Sequence, residues 1–230
     1  MRTEFEGDFI RPGLFEELKA VLPPDAQLQF PPSRKKLLIL VSREPFCLGD
    51  ILIQAGFGGL PVDIQGVISN HPMLEEYVKK HNLPFVYMPH EGLSREEHEA
   101  RLNEACAKFS FDYMVLAKYM RILSPQFVND YSNRIVNIHH SFLPAFVGAR
   151  PYMQAYDRGV KIIGATAHYV THDLDEGPII CQDVVNIDHT MNPHELVRAG
   201  RDVEKTVLSR ALRLVVEDRV FVLGRKTVIL

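Results

Sequence analysis

The chain has 230 residues, of which 46% are hydrophobic and 24% charged, and its 26 Lys and Arg against 29 Asp and Glu leave a net charge of −3. These values are ordinary for a folded globular protein and argue against intrinsic disorder. The length suits one α/β domain with a small appendage. Because the charge is slightly negative, there is no basic footprint for a phosphate backbone, and we expect no nucleic-acid partner.

Membrane insertion and export are both disfavoured. The longest apolar runs resemble Leu37–Val41, far short of the roughly 20 residues that a membrane helix needs. The first residues lead into no apolar core or cleavage site of a secretory signal. Cys47, Cys106 and Cys181 are odd in number and far apart, which favours reduced thiols over a disulfide framework. We therefore expect a cytoplasmic protein with no membrane partner.

The N-terminal segment predicts a short strand at Arg2–Glu6, an amphipathic helix over Leu14–Leu22 and a strand around Gln27–Phe30. The Pro31–Lys36 stretch then combines helix-breaking prolines with a small basic cluster, which is typical of a solvated linker. We therefore divide the chain into a small segment with its linker, residues 1–33, and a main domain, residues 34–230.

From Lys36 onward, strand-like and helix-like segments alternate in the rhythm of βαβ units. Strands are predicted at Leu37–Val41, Asp63–Ser69, Phe85–Tyr87, Tyr113–Leu116, Arg134–His139, Ile162–Tyr169 and Ile179–Ile187, and a hairpin at Val220–Leu223 and Thr227–Leu230. Helices are predicted up to about Ala55, over Leu74–Lys80, over Arg95–Phe109 and after a cap at Asn192. An α/β fold with a mainly parallel sheet covered by helices follows. Such sheets bind ligands beyond the carboxyl ends of their strands.

The strand that ends at His139 carries an unusual polar pair. Asn137 and His139 are two positions apart, so both side chains project from one face of the strand. An amide donor and an imidazole in this arrangement can stabilise the oxyanion that develops at a carbonyl carbon. A pair of hydrogen-bonded structural groups is the alternative. His140 should face the other way and serve structure.

A polar loop follows Tyr169 and contains Asp173 and Asp175. A carboxylate here can orient water or tune an imidazole, as general acid-base catalysis requires, whereas a solvated acidic turn is the alternative. His168 and His172 have a spacing that chelates metals on a helix, but this segment is predicted as strand followed by loop. We therefore expect no metal site.

The first βα turn, Ser42–Asp50, lacks the features of a phosphate cradle. It contains a single glycine, and Pro45 and Phe46 stand where a cradle needs bare backbone N–H groups. A nucleotide or ribose-phosphate ligand is therefore disfavoured at this turn.

Three motifs together resemble the folate-dependent formyltransferase family: Leu116–Pro125 (LAKYMRILSP), Asn137–Phe146 (NIHHSFLPAF) and Asp173–Pro178 (DLDEGP). The sequences of the second motif and of Arg198–Lys205 (RAGRDVEK) are similar to those of the hydrolytic branch of that family. The resemblance runs from about Lys36 to the C-terminus. It implies a formyltransferase-type Rossmann-like fold.

By this resemblance, Asn137, His139 and Asp175 correspond to the family's catalytic residues. The resemblance also implies a folate-binding pocket. The residues assigned to it are Met120, Arg121, Ile122, Val170, Asp173 and, against the glutamate carboxylate of the folate, Arg95.

The hydrolytic branch passes the formyl group of 10-formyltetrahydrofolate to water, and the transferase branch passes it to an amine. The resemblance therefore implies hydrolysis to formate and tetrahydrofolate, which supplies formate for purine biosynthesis and balances the one-carbon pool. Transferases acting on a phosphorylated glycinamide riboside have a Gly/Ser/Asn-rich first turn, and we expect the bulky Arg43–Leu48 stretch to remove that acceptor site. Transfer to a small amine, or folate binding without turnover, are the alternatives. No cofactor besides the folate substrate is implied.

Members of the hydrolytic branch usually begin with a complete ACT domain, a βαββαβ regulatory module. Residues 1–30 are similar only to its second half, so we expect a partial, α+β, ACT-like segment. Either the start is truncated or misassigned, or this segment packs differently from a complete module. The resemblance also implies a homo-oligomer, and the unpaired strand edge of a partial module would favour self-association.

Overall fold

The computed structural model describes residues 13–23, 34–145 and 151–230. The chain divides into two compact units, Met1–Ser33 with Leu230, and Arg34–Ile229. In the first unit, helix α1 (Leu14–Val21) lies where the sequence predicts a helix. The strands predicted at Arg2–Glu6 and Gln27–Phe30 lie outside the described residues, so the ACT-like segment stays a prediction.

The second unit alternates strands and helices in the predicted order. Its strands are β1 (Lys35–Val41), β2 (Val62–Ser69), β3 (Phe85–Tyr87), β4 (Tyr113–Leu116), β5 (Ile135–His139), β6 (Ile162–Tyr169), β7 (Ile179–Asn186), β8 (Val220–Leu223) and β9 (Lys226–Ile229). Its helices are α2 (Phe46–Gly56), α3 (Glu75–Lys79), α4 (Arg95–Cys106), α5 (Pro125–Asp130), α6 (Pro151–Arg158) and α7 (Pro193–Val216).

Seven strands form one sheet in the order β3-β2-β1-β4-β5-β6-β7. Strands β1 to β5 pair in parallel, and β6 and β7 add to the edge in antiparallel pairing. The predicted mainly parallel α/β fold is confirmed. The chain order reverses between β1 and β4, and this switch point is where doubly wound sheets bind ligands.

The central strands are buried on both faces. In β1, Leu37, Ile39 and Val41 pack into an apolar cluster with α2 and α7, whereas Leu38 and Leu40 pack into another with α4 and α5. A fully buried side chain of this size contributes about 1.5–3 kcal/mol to folding. Because both faces need apolar residues, the strand shows a continuous apolar run rather than an alternation.

The long helix α7 begins at the predicted cap. The Asn192 side chain accepts the N–H groups of His194 and Glu195, and the Glu195 carboxylate accepts the Asn192 N–H at 2.7 Å. This reciprocal capping box satisfies donors that a helix start otherwise leaves unpaired. One glutamate, Glu204, lies among the buried residues of the helix, and it becomes part of a cavity described below.

Two features differ from the sequence prediction. The pattern does not indicate α5 or α6, which have 6 and 8 residues and are too short to be stable without tertiary packing. The solvated linker predicted at Pro31–Lys36 is wrong for Lys35. This residue begins β1, is 8% exposed, and places its ammonium 3.0 Å from the Asp218 carboxylate.

No helix within the described residues is long and apolar enough to cross a membrane. Cys47, Cys106 and Cys181 are free thiols. Burial raises the pKa of Cys47 and of Cys106 to about 12. These two thiols therefore stay protonated at neutral pH and act as apolar packing groups.

Candidate active site

Four polar side chains from three segments meet at β5. Asn137 and His139 lie on β5, His168 lies near the end of β6, and Asp175 lies in the loop that follows β6. His139 Nδ1 is 3.2 Å from Asp175 Oδ2, and His168 Nε2 is 3.7 Å from Asp175 Oδ1. The structure thus brings together Asn137, His139 and Asp175, the three residues that the resemblance implies, and adds His168 to them.

The loop that carries Asp175 depends on two backbone features. Asp175 has a φ of 57°, in the left-handed region that Asp tolerates better than most residues. At Gly177, a Cβ atom would lie 1.7 Å from the Tyr169 carbonyl oxygen and 3.3 Å from His168 Nδ1. Only glycine lets the loop return so close to β6, which explains why the DEGP stretch has a glycine at position 177.

The charge at this site is held by Asp175. Burial alone would raise the pKa of this carboxyl, but the hydrogen bond and the charge of His139 hold the pKa below its usual range. A carboxylate can only accept a hydrogen bond, so it is the Nδ1–H of His139 that faces it. This leaves Nε2 as the free nitrogen of a ring that is 7% exposed, and among the described residues Nε2 has no hydrogen-bond partner.

His168 is the member of the cluster that the sequence does not single out as a site residue. Its Nδ1 lies 2.9 Å from the Tyr169 carbonyl oxygen, so Nδ1 carries the proton and Nε2 can accept from the Asn137 amide N–H, 3.2 Å away. This bond fixes the orientation of the Asn137 amide. The signal that identifies His168 is the antiparallel register, which places it directly opposite Asn137.

The histidine spacing weighed as a metal motif does not bring its members together. His168 is buried on β6, whereas His172 is exposed in the loop with Asp173. Among the described residues, no three His, Cys, Asp or Glu side chains form a group that could hold a metal ion.

Residues assigned to the folate pocket lie on the segment that follows β4 and on the loop that follows β6. Met120 and Ile122 are 61% and 60% exposed, and the pairing of Leu116 with Asn137 places their segment next to the cluster. Large apolar side chains left exposed beside a polar cluster indicate a ligand surface. Arg121 lies between them and is half-buried.

The remaining three assignments differ in their surroundings. Val170 is half-buried and packs against the second apolar cluster. Asp173 is exposed and lies 3.4 Å from the His172 ring. The guanidinium of Arg95 lies 3.7 Å from Glu99, one helical turn further along α4, and no described contact joins it to the cluster of Asn137, His139, His168 and Asp175.

Ser42, at the end of β1, anchors the segment between Lys118 and Met120. Its N–H donates to the Lys118 carbonyl oxygen at 3.2 Å, and its Oγ accepts the Met120 N–H at 2.9 Å. Its hydroxyl donates to Asn70 Oδ1 at 2.7 Å. Between these bonds Lys118 has a φ of 63°. The switch point between β1 and β4 is therefore occupied by a rigid polar network.

A cavity of about 510 Å³ lies next to the cluster, beyond the end of β1. It reaches His140, whose ring centroid is 5.1 Å from that of His139. Its lining includes Arg43, Glu44, Lys118, His140, Tyr152 and Glu204. The bulky first turn leaves this space open, because Arg43 and Glu44 line the cavity instead of filling it. The expected loss of the phosphorylated acceptor's site stays a prediction.

Two ion pairs of the chain lie in the wall of this cavity. Lys118 lies 3.0 Å from Glu204, and Arg201 lies 2.7 Å from Glu44. Pro45, which has no N–H, stands at the cap of α2. The cavity therefore offers room beside the cluster, and two of its acid–base pairs are already satisfied within the chain.

A family model described as formyl transferase matches residues 35–212. The chain belongs to the formyl transferase family. Among curated relatives, the formyltetrahydrofolate deformylase of Escherichia coli O6:H1 is 55% identical over 231 residues, which cover 100% of this chain and 82% of the relative.

Two solved structures, one of a deformylase and one of a transformylase, have the same fold as this chain. A formyltetrahydrofolate deformylase from Pseudomonas syringae has a TM-score of 0.83 and 48% identity, covering 85% of this chain and 66% of that one. A glycinamide ribonucleotide transformylase from Symbiobacterium toebii also has a TM-score of 0.83, at 32% identity, covering 89% of this chain and 98% of that one. The fold is therefore common to deformylases and transferases, and the residues of the site must separate them.

Proposed function

We propose that the chain hydrolyses 10-formyltetrahydrofolate to formate and tetrahydrofolate. The observation that carries this proposal is the cluster of Asn137, His139 and Asp175, in which the His139 ring is oriented by a carboxylate and has one nitrogen free. The curated relatives and solved structures that match this chain with high identity are named formyltetrahydrofolate deformylases.

The geometry supports a defined role for each group. Both oxygens of Asp175 face histidine rings, so the carboxylate tunes the imidazole and is less suited to holding water itself. His139 Nε2 takes a proton from water as the water oxygen attacks the formyl carbon. The Asn137 amide N–H stabilises the oxyanion that forms.

The breakdown of the intermediate uses the same residues in reverse. The bond between the formyl carbon and N10 breaks, and N10 receives the proton that His139 took from water. The released formic acid loses its own proton to solvent, so the products are formate and tetrahydrofolate. Asp175 stabilises the imidazolium that exists between the two proton transfers.

The folate would lie along the exposed apolar residues after β4. In this proposal Met120, Arg121, Ile122, Val170 and Asp173 line the pterin site, and Arg95 meets the glutamate carboxylate. The reaction needs water and no cofactor besides the folate substrate. We further propose that it takes place in the cytoplasm and that the protein is a homo-oligomer.

Formyl transfer to a small amine is the second candidate, because the cavity of about 510 Å³ leaves space next to the cluster. Two features favour water as the acceptor. Two ion pairs, Lys118–Glu204 and Arg201–Glu44, already occupy charged groups of the cavity wall. The first turn also has a single glycine, and Pro45 and Phe46 stand where a phosphate cradle needs bare backbone N–H groups.

An acceptor-free assay separates these functions. With 10-formyltetrahydrofolate alone, we expect one formate for each tetrahydrofolate formed. Asn137→Ala should lower kcat by about 10²–10³-fold, the usual cost of removing one oxyanion donor. Asn129→Ala, at an exposed position on α5, is the matched control and should leave kcat unchanged. Turnover that appears only when an amine is added would support transfer, and folate binding without turnover both with and without an amine would refute both reactions.

A further inference from the structure

Lys118 is a buried cation that takes no part in the proposed hydrolysis steps. Its side chain is 10% exposed, and its Nζ lies 3.0 Å from Oε2 of Glu204, which is 2% exposed. The other oxygen, Glu204 Oε1, accepts the Tyr152 hydroxyl at 2.5 Å. Both oxygens of this buried carboxylate are therefore occupied by groups of the chain itself.

This ion pair lies beside the reacting groups. β4 and β5 are parallel, with Leu116 opposite Asn137, so Lys118 comes level with His139. Lys118, Glu204 and His140 line the same cavity. The pair therefore forms one wall of the space through which an acceptor other than water would approach the formyl carbon.

The arrangement is built at an energetic cost. A lysine in the left-handed region, here at a φ of 63°, is less stable than in the right-handed region, because its Cβ crowds the following carbonyl oxygen. On α7, a Cβ atom at Gly200 would lie 2.2 Å from the Tyr152 ring, so only glycine lets Tyr152 reach Glu204. Buried ion pairs contribute little net stability, so stability alone does not explain why Lys118 and Glu204 are paired here.

We propose that Lys118 determines acceptor specificity, by filling the amine-binding position at Glu204 with an ammonium of the chain itself. This inference rests on the proposed hydrolysis. Without Lys118, Glu204 would be a buried carboxylate next to the formyl carbon, and it would accept the N–H groups of a small neutral amine, whose nitrogen keeps its lone pair. As an ammonium, Lys118 has no lone pair and is not formylated itself. Water needs no such anchor and still reaches the carbon.

The transfer that Lys118 prevents is a balanced reaction. The amine nitrogen would form a bond to the formyl carbon as the bond from that carbon to N10 breaks. One proton would leave the amine and one would reach N10, giving an N-formyl amine and tetrahydrofolate. No oxidant, reductant or further co-reactant is required.

The test measures two products in one assay, with glycinamide as the probe amine and the full chain as enzyme. For the unmodified chain we expect formate and no N-formylglycinamide at any amine concentration. Lys118→Gly opens the position and relieves the left-handed constraint, so the ratio of N-formylglycinamide to formate should rise to about tenfold or more above the detection limit that the unmodified chain sets. Lys118→Met removes the charge but keeps the volume, and should raise this ratio much less.

Lys35→Met is the matched control, because Lys35 is another buried lysine in an ion pair, distant from the cluster at the start of β1. It should leave the product ratio unchanged. N-formylglycinamide from the unmodified chain would overturn the inference, whether or not the variants fold. A folded, formate-producing Lys118→Gly variant that makes no N-formylglycinamide would overturn it as well. Absence of formate from the unmodified chain would instead refute the proposed hydrolysis.

Discussion

The Asp175 carboxylate and the His139 ring are joined at 3.2 Å although one belongs to a loop and the other to a central strand. Both side chains are largely buried, with exposures of 11% and 7%. The loop therefore places the Asp175 carboxylate against a ring whose position is fixed by β5. The proposed hydrolysis depends on both the loop and the strand.

Asp175→Asn keeps the shape of this side chain and removes its charge. Without the carboxylate, the imidazolium formed during hydrolysis loses its stabilising partner, so kcat should fall by about 10²–10⁴-fold. Rates of formate release at saturating folate measure this. Asp183→Asn removes an exposed carboxylate on β7 that pairs with Arg210 and should leave kcat unchanged. A kcat within about threefold of the unmodified value would exclude a role for the Asp175 charge.

Ser42→Ala removes the oxygen that accepts the Met120 N–H. The segment that carries Met120 and Ile122 then loses its anchor, so KM for the folate should rise about tenfold while kcat changes only a few-fold. Loss of the buried hydrogen bonds should also lower the free energy of unfolding by about 1–3 kcal/mol. Steady-state kinetics and urea unfolding measure the two effects.

Ser209→Ala is the control for Ser42→Ala. The Ser209 hydroxyl is also buried and bonds to Asp50 and Gln54 between α2 and α7. It should lower stability by a similar amount without changing KM. If the two variants show the same KM, Ser42 serves stability alone.

His140 makes the stability of the fold sensitive to acid. Burial, together with the charges of Lys118 and His139 and against that of Asp175, lowers the pKa of His140 to about 3. The unfolded chain binds a proton here at about pH 6.5 while the folded chain does not. This contribution to stability is therefore complete above pH 6.5 and decreases as the pH falls toward 3, by about 1.4 kcal/mol per pH unit.

The prediction is tested with His140→Asn. Between pH 7 and pH 5 the unmodified chain should lose about 2 kcal/mol more free energy of unfolding than the variant, because other titrating groups are common to both. Urea unfolding at the two pH values provides the comparison. Equal losses would mean that His140 accepts a proton in the folded state near its ordinary pKa.

Gly177→Ala tests the loop that carries Asp175. The added methyl group would collide with the Tyr169 carbonyl oxygen, so the loop must move, with a loss of about 1–3 kcal/mol in unfolding free energy. Since Asp175 moves with the loop, kcat should fall at temperatures where the variant is fully folded. Gly56→Ala, where a Cβ atom meets no neighbour within 4 Å, should keep both values. A stable variant with full activity would show that the loop tolerates the displacement.

The sequence predicts those parts of the molecule that depend on local pattern. The alternation of strands and helices follows from periodicity, and the pairing of Asn137 with His139 on one face follows from their spacing on a single strand. The resemblance adds Asp175, which no spacing rule connects to β5. The strand–helix alternation and the Asn137–His139 pair are predictable because a single segment of the sequence is enough to specify each of them.

The remaining features depend on which segments meet in space. His168 joins the cluster because β6 pairs with β5 in one register, and Glu204 meets Lys118 because α7 packs near the switch point. The burial of Lys35 has the same origin, since its partner Asp218 follows α7 far along the chain. No local pattern specifies these pairings, so the sequence alone predicts neither the fourth residue nor the paired charges of the cavity.

The cavity beside the cluster also bears on inhibitor selectivity within this family. A folate analogue extended by a neutral apolar group could occupy that volume and contact Met153 and Val197, which line it. An enzyme that holds a phosphate at the corresponding turn would present a polar cradle to the same group and bind it poorly. This open volume therefore offers a route to compounds that distinguish the water-using branch from the amine-using one.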